Sequence, residues 1–156
     1  MRTSQQGIDL IKHFEGCKLE AYECSAGVFT HGYGHTKHVQ EGDKVTEEEA
    51  EDNLILYISM VETHMARLIH VPLAQHEWDS IVSWCFNLGC GSLRRSTMLN
   101  VLNSGDLEGV TKELIRWDNV NGKPSKGLAR RRKAEAHLFD TGKIDYFDKP
   151  KKKANE

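Results

Sequence analysis

The amino-acid sequence predicts an α+β chain, mostly helical, with a small N-terminal antiparallel sheet lobe joined by a long helix to a helical lobe. Three observations carry this expectation. Turn-forming glycines alternate with aromatic and β-branched residues between Leu19 and Thr36, an amphipathic helical period runs unbroken from Thr46 to Leu68, and the pattern after Pro72 is helical. The 156 residues suffice for one compact domain.

Element by element, Thr3-Ser4-Gln5-Gln6 reads as a capping box, and Ile8, Ile11 and Phe14 recur at helical spacing until Gly16 offers a stop. Glu15 therefore falls at the C-terminal end of the first helix. Ala21, Tyr22, Val28, Phe29 and Tyr33, interleaved with Ser25, Gly27, Gly32 and Gly34, then read as a small antiparallel sheet. A second capping box, Thr46 to Glu49, opens the long helix carrying Ala50, Leu54, Ile58, Val61, Met65 and Leu68 on one face, and Pro72 ends it. Trp78, Ile81, Val82, Cys85 and Phe86 mark a buried face up to the break at Gly89 and Gly91. Thr97 is placed to cap MLNVLN, Asp106 to cap the segment through Trp117, and Ser125 to precede the last helix, Leu128 to Phe139, with NGKP at 121–124 as a turn. These elements predict a single domain over residues 1–145, with the sheet lobe at about 15–45, the helical lobe at about 73–145 plus the first helix, and a basic tail at 146–156 containing KPKKK. The tail is expected to be disordered.

Charge and composition narrow the function. With 21 basic and 23 acidic residues the net charge is -2, so no global positive field suits nucleic acid, and RRRKAE at 130–135 reads as a solvated face with one inward arginine. The N-terminal segment is too interrupted by Gln, Asp, Lys and His for a signal peptide or membrane span, so the expectation is a chain folded in the cytoplasm without stable membrane association. Cys17, Cys24, Cys85 and Cys90 lack paired spacing and are expected as reduced thiols, with Cys85 and Cys90 packing as small apolar groups. His31, His35 and His38 raise a metal-site reading, but their spacing is loose for zinc, and His35 is read instead as a hydrogen-bonded structural residue. Strand alternation points His31 to the face opposite Thr30.

The stretch from Glu15 to Thr36 carries the chemistry. A carboxyl wedged between a helix end and a sheet is partly desolvated, which favours its protonated form and suits a general acid. Glycosidic cleavage needs such an acid and a second group that activates water or stabilises the transition state; Cys24 and Thr30 stand in the facing sheet.

The order Glu15, eight residues, Cys24, five residues, Thr30, then GYGHT, resembles the phage-type lysozymes of glycoside hydrolase family 24, whose pattern is Glu, eight residues, Asp or Cys, five residues, Thr, then G-x-G-H. FNLGCGSLRRSTML from Phe86, Arg116-Trp117, and GLARRRKAEAHLF from Gly127 are similar to that family's helical lobe in order and spacing, and the resemblance spans Ser4 to Gly142. It implies a two-lobed lysozyme-like fold with a sugar-binding cleft, and hydrolysis of the β-1,4 bond between N-acetylmuramic acid and N-acetylglucosamine without metal or organic cofactor. Carried over residue by residue, it makes Glu15 the catalytic acid, sets Cys24 where aspartate is usual, gives Thr30 the attacking water and gives Arg131 the task of orienting the acid. Phe86, Asn87, Thr97 and Arg116 fall on glycan-facing cleft positions. The implied biology is a monomeric endolysin whose partner is the peptidoglycan glycan strand. It waits in the host cytoplasm until a holin-like membrane protein gives it access to the periplasm. Two alternatives stand beside it: a peptidoglycan-binding protein without catalysis, raised by Cys24, and a metal-dependent hydrolase using the histidines.

Overall fold

The structure, a computed structural model, describes residues 1–150. The expectation of disorder for KPKKK therefore lies, from Lys151 onward, outside the described residues. Helix α1 (Gln5–Glu15) leads into strands β1 (Lys18–Glu23) and β2 (Phe29–Gly32), and α2 (Glu47–Leu68) then crosses to α3 (Gln75–Leu88), α4 (Cys90–Arg95), α5 (Thr97–Asn103) and α6 (Leu107–Ile115). A small hairpin, β3 (Asn119–Val120) and β4 (Lys123–Pro124), precedes α7 (Lys126–Thr141).

The first helix is capped by Ser4, whose side chain accepts from the Gly7 N–H, and not by Thr3 as the sequence suggests. Thr3 is otherwise engaged: its N–H and hydroxyl donate to Glu62 at 3.0 and 2.9 Å, tying the N-terminus to α2. Asp79, fully buried on α3, accepts from the Ser4 N–H at 3.0 Å and from the Ser4 hydroxyl. Gly7 permits this close approach, since a Cβ there would lie 2.8 Å from the Asp79 Cβ. These contacts clamp α1 onto α3 and so fix the position of Glu15.

Strands β1 and β2 pair antiparallel with Tyr22 opposite Thr30 and Glu23 opposite Phe29, and an irregularity lies between Lys18 and Tyr22. The connecting loop is closed by the Cys24 N–H donating to the Val28 carbonyl at 2.9 Å and the Gly27 N–H donating to the Cys24 carbonyl at 2.8 Å. Most of β1 is exposed, whereas Thr30, His31 and Gly32 are buried, with α2 packed against β2. Alternation thus leaves neither Thr30 nor His31 to solvent; the His31 ring stacks on that of His35 with centroids 5.5 Å apart.

Both arms of the Thr46–Glu49 capping box are formed. At ~1.5 Å per residue the 22-residue α2 is long enough to join the lobes. It stops at Leu68, short of Pro72, with Ile69 already extended. The core behind it joins Leu54, Ile58, Val61 and Met65 to Trp78, Ile81, Trp84, Leu102 and Leu114. Two local expectations need correction, and a third, the NGKP turn, is found with strands beside it. Ser96, not Thr97, caps α5, and Thr97 is its first helical residue; the adjacent hydroxyls look alike in sequence, but it is Ser96 that has extended backbone. A short helix, α4, follows Gly89 directly. The NGKP turn belongs to a hairpin in which Asn121 and Gly122 take φ of 50° and 77°, the signature of a tight primed turn, but its two-residue strands are too short to show alternation. Asp106 and Ser125 cap α6 and α7 as expected. Beyond α7 the chain remains packed past residue 145: Tyr146 stacks on His13 at 3.8 Å, and Tyr146 and Phe147 pack against the cluster of Leu10, Ala134 and Leu138.

Candidate active site

Glu15, the last residue of α1, keeps 20% of its side chain exposed and stands in the wall of a cleft of about 460 Å³ between the lobes. Tyr33 and His35 from the GYGHT segment, Tyr57 from α2, and Phe86 and Asn87 from α3 share that wall. One carboxylate oxygen of Glu15 accepts from Arg131 Nη1 at 2.6 Å. The other faces Gly34, where an added Cβ would lie 3.4 Å from Oε2 and where φ of +82° favours glycine. The second glycine of GYGHT thus lets the backbone pass close over the acid.

Arg131 is buried, and its remaining nitrogens are occupied: Nε donates to Glu135 Oε1 at 3.2 Å and Nη2 donates to the Ser83 carbonyl at 3.2 Å. The expected single inward arginine is therefore incomplete. Arg132 is also fully buried, and so is Glu135. Arg132 Nη2 donates to Asn87 Oδ1 at 2.5 Å, and its Nε lies 3.2 Å from Glu135 Oε2. Burial pulls the Arg132 guanidinium below its ordinary pKa, opposed by the charge of Glu135. In sequence, Arg132 and Glu135 do not stand out, because RRRKAE looks like a surface charge run. A signal was nevertheless present: Glu135 lies three and four residues from the two arginines and between Ala134 and Ala136, in a helix whose later inward positions are Leu138 and Phe139.

On the sheet lobe, Cys24 is half-exposed and Thr30 buried. The Thr30 hydroxyl donates to the Val28 carbonyl at 3.1 Å. The backbone N–H of Val28, then that of Ala26, with the Thr30 hydroxyl beside them, favour thiolate and pull the Cys24 thiol below its ordinary pKa. Cys85 and Cys90 pack with the core as expected and also meet each other. The Cys85 thiol, hydrogen-bonded to Cys90 and buried, is pushed well up, while Cys90 is pulled down to about 7 by the same bond.

The structure thus brings Glu15, Phe86 and Asn87 into one cleft, with Arg131 packed behind the acid and Cys24 beside Thr30. Thr97 and Arg116 are exposed, and neither they nor Cys24 and Thr30 are among the residues lining the cleft; Arg116 pairs with Glu113 at 3.1 Å. Among the described residues no group of three or more His, Cys, Asp or Glu side chains is placed to hold a metal ion, so the His31, His35 and His38 reading has no geometry behind it. Among the same residues no helix is long and apolar enough to cross a membrane.

A helical lobe and a small sheet lobe, flanking a cleft with an arginine-held glutamate, define a glycoside hydrolase of the lysozyme type. The phage lysozyme family model matches residues 12–135, and the chain belongs to that family. An endolysin of Acyrthosiphon pisum secondary endosymbiont phage 1 is 43% identical over 145 residues, covering 90% of this chain and 99% of that one. Among solved structures, the endolysin from Escherichia coli O157:H7 phage FAHEc1 superposes with a TM-score of 0.87 at 37% identity, over 93% of this chain and 97% of that one. The muramidase domain of SpmX from Asticaccaulis excentricus gives 0.84 at 34% identity over 90% of this chain and 98% of that one.

Proposed function

We propose that this phage-type lysozyme acts in host lysis by cleaving the β-1,4 bond between N-acetylmuramic acid and N-acetylglucosamine of peptidoglycan, with Glu15 as general acid. The observation that carries this reading is the 2.6 Å bond from Arg131 to one oxygen of Glu15 in the cleft wall. Arg131 holds Oε1, so Oε2 is the oxygen free to deliver a proton to the leaving sugar. The same guanidinium then stabilises the carboxylate left behind. Thr30 and Cys24 hold and activate the attacking water on the opposite face of the sugar, which gives inversion. Phe86 supplies an apolar surface for the glycan and Asn87 a polar contact. The site needs no metal or organic cofactor, and the enzyme acts as a monomer. Access to the periplasm comes when a holin-like protein opens the host membrane, so cells expressing the chain lyse fully only with that protein present.

The test is lysis of permeabilised Gram-negative cells, followed as loss of turbidity, by wild type and by Glu15→Gln. The amide keeps the shape and loses the proton, so activity should fall by at least ~100-fold with the fold intact. A folded Glu15→Gln protein that still clears the suspension would remove Glu15 from the chemistry.

A further inference from the structure

Glu135 is a buried carboxylate that touches no part of the cleft and yet joins two residues that do their work there. Its Oε1 accepts from Arg131 Nε at 3.2 Å and from the Ser83 hydroxyl at 2.7 Å. Its Oε2 lies 3.2 Å from Arg132 Nε. Arg131 continues to Glu15, and Arg132 continues to Asn87. All three of Arg131, Arg132 and Glu135 are at least nine-tenths buried, so these charges lie where a carboxylate without partners would be costly.

The end at Asn87 has a definite chemical sense. A guanidinium only donates, so the atom that Asn87 turns toward Arg132 must be its oxygen. The amide NH₂ then points away from Arg132. Asn87 lines the cleft, so with its oxygen taken by Arg132 its amide NH₂ is the group left to donate to the acceptor oxygens of a sugar, such as an acetamido carbonyl or a ring hydroxyl.

We infer that Glu135 is a positioning residue that sets both sides of the cleft at once, aiming Glu15 through Arg131 and fixing the amide of Asn87, through Arg132, as a donor to the glycan. The inference rests on the reading of Glu15 as the acid. It differs from a purely structural ion cluster in a measurable way. A structural cluster sets stability alone, whereas a positioning cluster sets kcat through the Arg131 branch and KM through the Arg132 branch.

The experiment is steady-state kinetics on a soluble peptidoglycan oligomer, with thermal unfolding of the same samples, for Glu135→Gln, Asn87→Asp and Glu15→Gln. Folded Glu135→Gln should lose ~10- to 100-fold in kcat, the scale on which misaimed catalytic groups act, and should also gain in KM. Asn87→Asp keeps an acceptor for Arg132, removes the donor and adds a carboxylate that the Arg132 guanidinium pairs with. Its KM should rise ~10-fold, about the worth of one hydrogen bond, while its melting temperature holds or increases. A folded Glu135→Gln enzyme with wild-type kcat and KM overturns the inference. If Glu135→Gln does not fold, Asn87→Asp decides, and an unchanged KM there overturns the inference. An active Glu15→Gln enzyme would instead overturn the underlying reading of the acid, whatever the other two variants do.

Discussion

Glu15 is held from the helical lobe by a buried chain of charges running through Arg131, Glu135 and Arg132, whereas Cys24 stands in a half-exposed turn of the sheet lobe, held by backbone bonds, beside Thr30 on the buried strand β2. If Glu15 is the acid, it must keep one orientation while a proton leaves it, and the buried ion pairs from Glu15 Oε1 through Arg131 to Glu135 supply that rigidity. On the side proposed to hold the water, a turn closed by Cys24, Gly27 and Val28 sets the half-exposed Cys24 beside the buried Thr30. The lesson is a separation of effects: substitutions around Glu15 should lower stability and activity together, and substitutions around Cys24 should change chemistry and leave stability nearly alone.

The strongest way to break that contrast is Arg131→Ala. It removes the partner of Glu15 and leaves Glu135 with one cation fewer, so it should cost about 3–5 kcal/mol of stability as well as most of the activity. Urea unfolding beside turbidity kinetics checks both, and Arg130→Ala, at a half-exposed neighbour, serves as control. Equal behaviour of the two variants would dissolve the distinction between the lobes.

The sheet-lobe counterpart is the series at Cys24. Cys24→Ala should lose most activity, Cys24→Ser should lie between, and Cys24→Asp should retain much of it, all with melting temperatures close to wild type. The pH profile sharpens this. If the thiolate is the working form, wild-type activity increases with pH through a thiol pKa held below its ordinary value by the Val28 and Ala26 N–H groups. Cys24→Asp should move that increase to the carboxylate range near ~4. Identical acid limbs for the two proteins would show that the cysteine does not titrate in the reaction.

A smaller effect, on stability alone, is expected at the joint that places α1. Gly7→Ala sets a methyl group 2.8 Å from Asp79, and the strain of overpacking should cost about 1–3 kcal/mol by urea unfolding. An unperturbed variant would mean that α1 does not depend on this close approach.

Much of this arrangement was legible in the sequence because it is local. The Thr46–Glu49 box, the Asp106 and Ser125 caps, the glycine stop at Gly16 and the strand-forming stretch each declare themselves within a few residues, and the spacing of Glu15, Cys24 and Thr30 stands in one short segment. What stayed hidden depends on partners far along the chain. Arg132 meets Asn87 across 45 positions and Ser83 meets Glu135 across 52, so nothing near RRRKAE separates a buried charge from a solvated one. Thr3 and Thr97 do not take the caps that the sequence suggests for a related reason: neighbouring hydroxyls offer equal caps in sequence, and tertiary contacts choose between them.

The central claim is that the helical lobe supplies a proton and the sheet lobe supplies a water, with no covalent sugar bound to the enzyme between the two steps. Proton NMR of the first-formed reducing end, recorded during hydrolysis of a soluble peptidoglycan oligomer before mutarotation, tests it most directly. Water delivered by Thr30 and Cys24 opposite Glu15 should release the α-anomer first. Initial release of the β-anomer would contradict the account, because retention requires a covalent or equivalent intermediate on the side here assigned to water.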